Sequence, residues 1–339
     1  MSARYLKLSR SELESRAQQA YEIYRECRVC PHACGVDRTQ GQTGYCGQTD
    51  LLSVSSSVRH FGEEPPLVGT GGVGNLFVTS CNLRCDYCQN FQISQDWKNP
   101  TDAVNLEQSY LVAAEQMLRL QEEGVHFIGW VSPSHVVPGL LKSLSIARER
   151  GLEIPIIYNT NGYDALATLK LLDGVVDVYL PDLKYADSAI AKGISHIHEY
   201  PEFSRQAVLE MYRQVGPLSL RDDGLAESGL LVRHLLLPEG LAGTWETLCF
   251  IALELSPSVS LSLMSQYRPV HKVTSPLDRE ITPEEYKSSI SMARELGFEN
   301  LYLQSMETAV HNLPDFDNTE HPFPLYHNYN QEKAKAEQL

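Results

Sequence analysis

The sequence predicts an α/β fold, a partial or complete (β/α)6 barrel preceded by a small four-cysteine metal module. Three observations carry this reading. From residue 74 onward, short β-rich runs alternate with helical stretches about six times. Such repetition means parallel pairing, because parallel neighbours need a long crossover and the crossover is right-handed. Four cysteines gather ahead of the first run, and 339 residues with 42% hydrophobic and 21% charged side chains suffice to bury a full core.

The elements follow in order. Residues 10–25 read as a helix, with Leu13, Ala17, Ala20, Ile23 and Tyr24 at helical spacing. Residues 27–47 are rich in Gly, Pro and polar side chains and lack periodicity, as expected of a module folded around metal. Strands are expected at 75–79, 126–131, 154–159, 175–181, 230–237 and 258–264. Helices are expected between them near 106–123, 139–150, 164–172, 202–215, 244–255 and 283–296. Residues 300–304 read as one more edge strand. The expected division is therefore an N-terminal helix and metal module over 1–66, a barrel over 67–310, and a Pro-, Asn- and Asp-rich tail over 311–339. The run Gly69-Thr-Gly71-Gly-Val-Gly74 fits a dinucleotide-binding pattern, but that pattern must follow a strand and open a helix, whereas here it precedes a strand. Flexible backbone near the downstream cysteines is its expected use.

Composition excludes other classes. With 43 acidic against 28 basic side chains and a formal charge of −15, a phosphate-tracking basic surface is not expected, so nucleic acid is not an expected partner. The longest apolar runs fall far short of the roughly 20 residues that cross a bilayer, and no membrane association is expected. The first residues lead into a charged helical pattern rather than a secretory signal, so a cytoplasmic location is expected.

The eight cysteines divide as four, three and one. Cys27, Cys30, Cys34 and Cys46 supply four thiolates within about twenty residues. They can close a tetrahedral zinc site or hold an iron-sulfur cluster, and both readings stand. Cys81, Cys85 and Cys88 lie just after the first barrel strand, at the end where active sites of such folds collect. A four-iron cube ordinarily takes four thiolates, so three leave one iron open to a small molecule. A zinc knot completed by His60 is the alternative. Cys249, beside Leu248, Phe250 and Ile251, reads as a core thiol.

The stretch Cys81-Asn-Leu-Arg-Cys85-Asp-Tyr87-Cys88 resembles the C-x3-C-x2-C signature of the radical S-adenosylmethionine superfamily. Together with Cys88-Gln-Asn90, Tyr158-Asn-Thr, Leu180-Pro-Asp182-Leu-Lys184-Tyr, Val232-Arg-His-Leu and Gln266-Tyr-Arg-Pro269, it is similar to the pyruvate formate-lyase activating enzyme-like radical proteins, related to the AmmeMemoRadiSam proteins. The resemblance implies a 4Fe-4S cluster on Cys81, Cys85 and Cys88. Its open iron would chelate S-adenosylmethionine, which one electron cleaves to methionine and a 5′-deoxyadenosyl radical that abstracts hydrogen from a protein, peptide or small molecule. It further implies reduced flavodoxin or ferredoxin as electron donor, Tyr87 near the adenine, Lys184 approaching the cofactor and Asp182 beside a monovalent cation. True activating enzymes of this kind act on a glycyl-radical partner; for this chain that is analogy alone.

Further cofactor contacts are expected at the strand ends. Asn159 and Asn161 suit ribose hydroxyls or the amino-acid end of the cofactor. Ser132, Ser134 and His135 stand where many superfamily members carry a Gly-Gly-Glu, which this chain lacks. Arg233, His234, Gln266, Tyr267, Arg268 and His271 end the later strands, and some of them should face the mouth. The competing reading is a non-catalytic scaffold whose cysteine groups are both structural.

Overall fold

The computed structural model describes residues 3–97, 105–306, 313–318 and 321–323. It is a mixed α/β fold around one largely parallel sheet. Strands β1 (Val54–His60), β2 (Val73–Val78), β3 (Phe127–Val131), β4 (Ile156–Thr160), β5 (Val178–Pro181), β6 (Ser219–Leu220), β7 (Ala226–Leu235), β8 (Ser260–Met264) and β9 (Leu301–Leu303) run in the order β1-β2-β3-β4-β5-β7-β8-β9, with β6 paired to β7 off this path. All neighbours from β2 to β9 along this path pair in parallel, and β1 pairs antiparallel with β2. Among the described residues β1 and β9 do not pair, so the barrel is partial rather than closed.

Alternation along the strands sorts their side chains into two environments. Leu76, Trp130, Tyr158, Tyr179 and Leu230 stand in register across five strands and share a core with apolar residues of the helices Leu106–Glu122, Val137–Glu149 and Tyr200–Val215. The opposite parity faces inward: Val73, Phe127, Ile157, Val178, Leu180 and Leu231 form a separate apolar cluster. Further along the same faces, toward the C-terminal strand ends, come Phe77, Val131, Asn159, Asp182 and Arg233. The barrel interior is thus apolar below, and polar side chains join Phe77 and Val131 at the mouth.

Differences from expectation are local. The segment expected to belong wholly to the N-terminal module contributes β1, so a boundary near residue 66 cuts the sheet. Its Ser-rich sequence, Val54-Ser-Ser-Ser-Val-Arg-His60, carries little apolar alternation. The helix Ser188–Ser195, capped by Asp187, was not expected either. The glycine run enters the N-terminal end of β2, whereas Cys81 follows its C-terminal end, so the glycines do not serve the thiols. Their use is close packing: a Cβ at Gly71 would stand 2.2 Å from the Gly124 carbonyl oxygen. Cys249 is only partly buried. Most of the expected tail lies outside the described residues, but Phe316 and Phe323 pack on Phe77.

Candidate functional site

The chain leaves β2 at Ser80, whose φ of 72° turns it sharply into the loop that carries Cys81, Cys85 and Cys88. All three side chains line one cavity of about 210 Å³ at the mouth. Each sulfur has a hydrogen-bond partner. Cys81 Sγ accepts from the Leu83 N–H at 3.3 Å and from Asn161 Nδ2 at 3.4 Å. Cys85 Sγ accepts from Ser195 Oγ at 2.9 Å, and Cys88 Sγ lies 3.1 Å from Ser94 Oγ. Ser195 sits at the end of the unexpected helix, which therefore serves the site.

Burial pushes the thiol of Cys81 up to about 12 and that of Cys88 up to about 11, and raises Cys85 as well. Left alone, these groups would be neutral and inert. A bound cation reverses that preference, because a coordinating thiol is deprotonated outright. Among the described residues, no three His, Cys, Asp or Glu side chains converge on a point that one metal ion could occupy. Thiolates of an iron-sulfur cube bind different irons and stand wider apart than the ligands of a single zinc ion. His60 also lines the cavity, but it bonds through Nδ1 to Glu63 at 3.0 Å rather than joining a compact metal set.

Of the expected cofactor residues, Tyr87, Ser132, Asn159, Asn161, Asp182 and Lys184 line this same cavity. Tyr87 is fixed by a hydroxyl relay in which Tyr185 donates to it at 2.7 Å and also meets Ser195, the donor to Cys85. Asn161 bonds Asn82 at 2.7 Å as well as Cys81, which ties the end of β4 to the cysteine loop. Lys184 Nζ donates to Asp182 Oδ2 at 2.5 Å. Burial acts to lower the Lys184 ammonium, but the Asp182 carboxylate outweighs it and holds the group charged well above the usual lysine range.

Ser134 and His135 do not line the cavity. Ser132 takes a left-handed φ of 54° and starts the short turn Pro133–His135, which turns the following side chains into the core. There Ser134 meets Thr160 at 3.0 Å and His135 Nε2 lies 3.0 Å from the Thr79 carbonyl oxygen. Of the later candidates, Arg233 and Gln266 face the mouth. His234 points away and lies between the Leu183 carbonyl and Thr244, Tyr267 donates to the Leu277 carbonyl, Arg268 pairs with Glu280, and His271 stacks on Phe91.

Sequence reasoning missed the far wall of the cavity, built by Glu63 and Asn75. Glu63 accepts from His60 at 3.0 Å, from Asn75 at 2.7 Å and from Arg233. Arg233 Nε also donates to Glu64 at 2.8 Å. Burial pushes the Glu63 carboxyl up, but Arg233 and His60 outweigh it and hold it well below the usual carboxylate range. Gly129 makes room for this wall, since a Cβ there would meet Asn75 Oδ1 at 2.1 Å. A lone polar residue in the apolar run Val73-Gly-Asn-Leu-Phe-Val78 was the available signal.

The N-terminal cysteines lie against the same loop. His32 Nε2 is 2.9 Å from the Asn82 carbonyl oxygen and stacks on Tyr45, with centroids 3.8 Å apart, and Ser80 Oγ donates to the Cys46 carbonyl. Among the described residues no helix is long and apolar enough to cross a membrane.

No family model matches the chain. An uncharacterized protein of Methanocaldococcus jannaschii is 27% identical over 296 residues, covering 86% of this chain and 80% of its own length. A second uncharacterized protein of that organism is 28% identical over 171 residues, 47% of this chain and 49% of its own. Among solved structures, the chain is similar to TYW1 with a lysine-pyruvate adduct bound, at TM-score 0.44 and 12% identity over 71% of this chain and 79% of that one. It is similar to Streptococcus suis SuiB bound to precursor peptide SuiA, at 0.45 and 14% over 72% and 53%. It is also similar to HydG, a maturase of the FeFe-hydrogenase, at 0.48 and 11% over 91% and 67%. At TM-scores below 0.5, the chemistry has to be argued from the chain's own residues.

Proposed function

We propose that the chain is a radical S-adenosylmethionine enzyme that abstracts hydrogen from a carbon of a protein, peptide or small molecule. The observation that carries this reading is the sharing of one cavity by three hydrogen-bonded thiols and by Asn159, Asp182 and Lys184. Cys81, Cys85 and Cys88 would hold a 4Fe-4S cluster, and the donors on their sulfurs suit thiolates. When bound, that cluster supplies an open iron for S-adenosylmethionine and the electron that releases a 5′-deoxyadenosyl radical.

The chain's own groups then have separate tasks. Asn159, Asn161 and Ser132 offer hydrogen bonds along the cavity wall, and the charged Lys184 offers a donor to a carboxylate or ribose oxygen. Tyr87, held by Tyr185, gives a rigid aromatic face. Phe77 and Phe323, in contact with each other, add an apolar part to the cavity wall. An activase of a glycyl-radical enzyme is one member of this reaction class. Reduced flavodoxin or ferredoxin is the proposed electron donor, the cytoplasm the proposed location, and a metal centre on the four N-terminal cysteines part of the same reading.

The test is anaerobic reconstitution with iron and sulfide, then reduction in the presence of S-adenosylmethionine. The wild type is expected to form 5′-deoxyadenosine and methionine, and Cys81→Ala only background amounts. No 5′-deoxyadenosine from the wild type under a strong reductant would instead support a non-catalytic scaffold.

A further inference from the structure

Arg38 lies inside the N-terminal cysteine segment, in the short turn Arg38–Gln40, and is 1% exposed. Its Nε donates to the Thr49 carbonyl at 2.8 Å, one terminal nitrogen reaches the same oxygen, and the other donates to the His135 carbonyl at 2.7 Å. Its guanidinium carbon sits 4.0 Å from the centroid of the Tyr24 ring. Every one of these partners is neutral.

A guanidinium cannot shed its proton in a protein. Arg38 therefore buries a full positive charge, and no carboxylate among the described residues lies within ion-pair distance of it. An unpaired buried charge is strongly destabilising. The groups beside it that metal binding would make anionic are the thiols of Cys27 and Cys46, whereas burial keeps the phenol of Tyr24 neutral.

Local backbone bonds gather the four thiols. Cys27 N–H donates to the Val36 carbonyl at 2.9 Å, Ala33 N–H to the Cys30 carbonyl at 3.0 Å, and Tyr45 N–H to Cys34 Sγ at 3.4 Å. Cys46, Cys27 and Cys34 all lie near Cys30. The thiols thus gather in one short segment, yet among the described residues no three of them converge on one point that a single ion could occupy. A zinc site needs four sulfurs about 2.3 Å from a single ion. A cube with one thiolate per iron takes the wider arrangement.

We propose that Cys27, Cys30, Cys34 and Cys46 hold an all-thiolate iron-sulfur cluster and that Arg38 is its built-in counter-cation. The inference rests on the metal-centre reading of these cysteines given above. A four-thiolate cube is a dianion that gains one more negative charge on reduction, so a buried cation against it stabilises the reduced form and raises its potential.

The test uses full-length protein carrying Cys81→Ala, Cys85→Ala and Cys88→Ala, so that any remaining metal belongs to the N-terminal cysteines. After anaerobic reconstitution it should hold about four irons and four sulfides per chain and no zinc. Adding Arg38→Gln should shift the midpoint potential, followed by electron paramagnetic resonance, to a more negative value, and Arg38→Lys should leave it near the parent. One zinc without sulfide overturns the cluster, and an unchanged potential in a folded Arg38→Gln protein overturns the role of Arg38. If Arg38→Gln does not fold, cluster content decides. Retention by Arg38→Lys and loss by Arg38→Gln upholds the role, and equal loss in both overturns it. Failure here is separable from failure of the radical reading, which shows in the wild type as absent 5′-deoxyadenosine.

Discussion

Asp182 and Lys184 stand two residues apart at the end of β5, their side chains only 19% and 12% exposed, and each is the other's ion-pair partner. Removing one charge leaves its partner unpaired in a low-dielectric wall, which costs about 3 kcal/mol or more. Asp182→Asn and Lys184→Met are each expected to lower stability by about that amount in urea unfolding, while the double variant should lose less than the sum of the two. Strict additivity would show that the pair is not coupled. Both residues were legible in the sequence because period-two alternation alone puts i and i+2 on one face. Ser134 and His135 were misread for the complementary reason, as the left-handed turn at Ser132 breaks that alternation where no glycine announces it. Glu63 and Asn75 carry no motif, and their role follows from a fold that sets β1 beside β2 and Arg233 across the barrel.

At the level of elements, Asp177 stitches the sheet at the start of β5. Its two carboxylate oxygens accept from Arg4 N–H at 2.9 Å and Ile156 N–H at 2.8 Å, which joins the N-terminal turn Arg4–Lys7 to β4. Burial raises its carboxyl from the ordinary 3.8 to about 6, against the lowering effect of those two bonds. A folded value above the unfolded one favours folding most below pH about 4, and the benefit is lost as pH rises through about 6. A rise of this size is worth about 3 kcal/mol. The stability of the wild type relative to Asp177→Asn is therefore expected to fall by about that amount between pH 4 and pH 7, as read by denaturant midpoints at each pH; a difference independent of pH would contradict it. The parallel strands were legible because β-branched runs recur between amphipathic helices. β1 was not, since serines replace the apolar side chains that mark a strand, and pairing with β2 is what selects its conformation.

The whole molecule sets two cysteine groups side by side at the mouth of an open barrel, with the loop from Cys81 to Cys88 against His32, Tyr45 and Cys46. Strand-helix alternation disclosed the parallel sheet, but curvature and the gap between β1 and β9 depend on side chains far apart in sequence. The spacing of the cysteines was legible outright, and their shared cavity with Asn159, Asp182 and Lys184 required the fold. The central claim is that Cys81, Cys85 and Cys88 hold a cluster with one iron left for S-adenosylmethionine. The most direct measurement is electron paramagnetic resonance of the reduced cluster in a Cys27→Ala, Cys30→Ala variant, with and without S-adenosylmethionine. The account predicts a spectrum that changes when the nucleotide is added and is absent from the same protein carrying Cys81→Ala. A spectrum indifferent to S-adenosylmethionine, or one that survives Cys81→Ala, would contradict it.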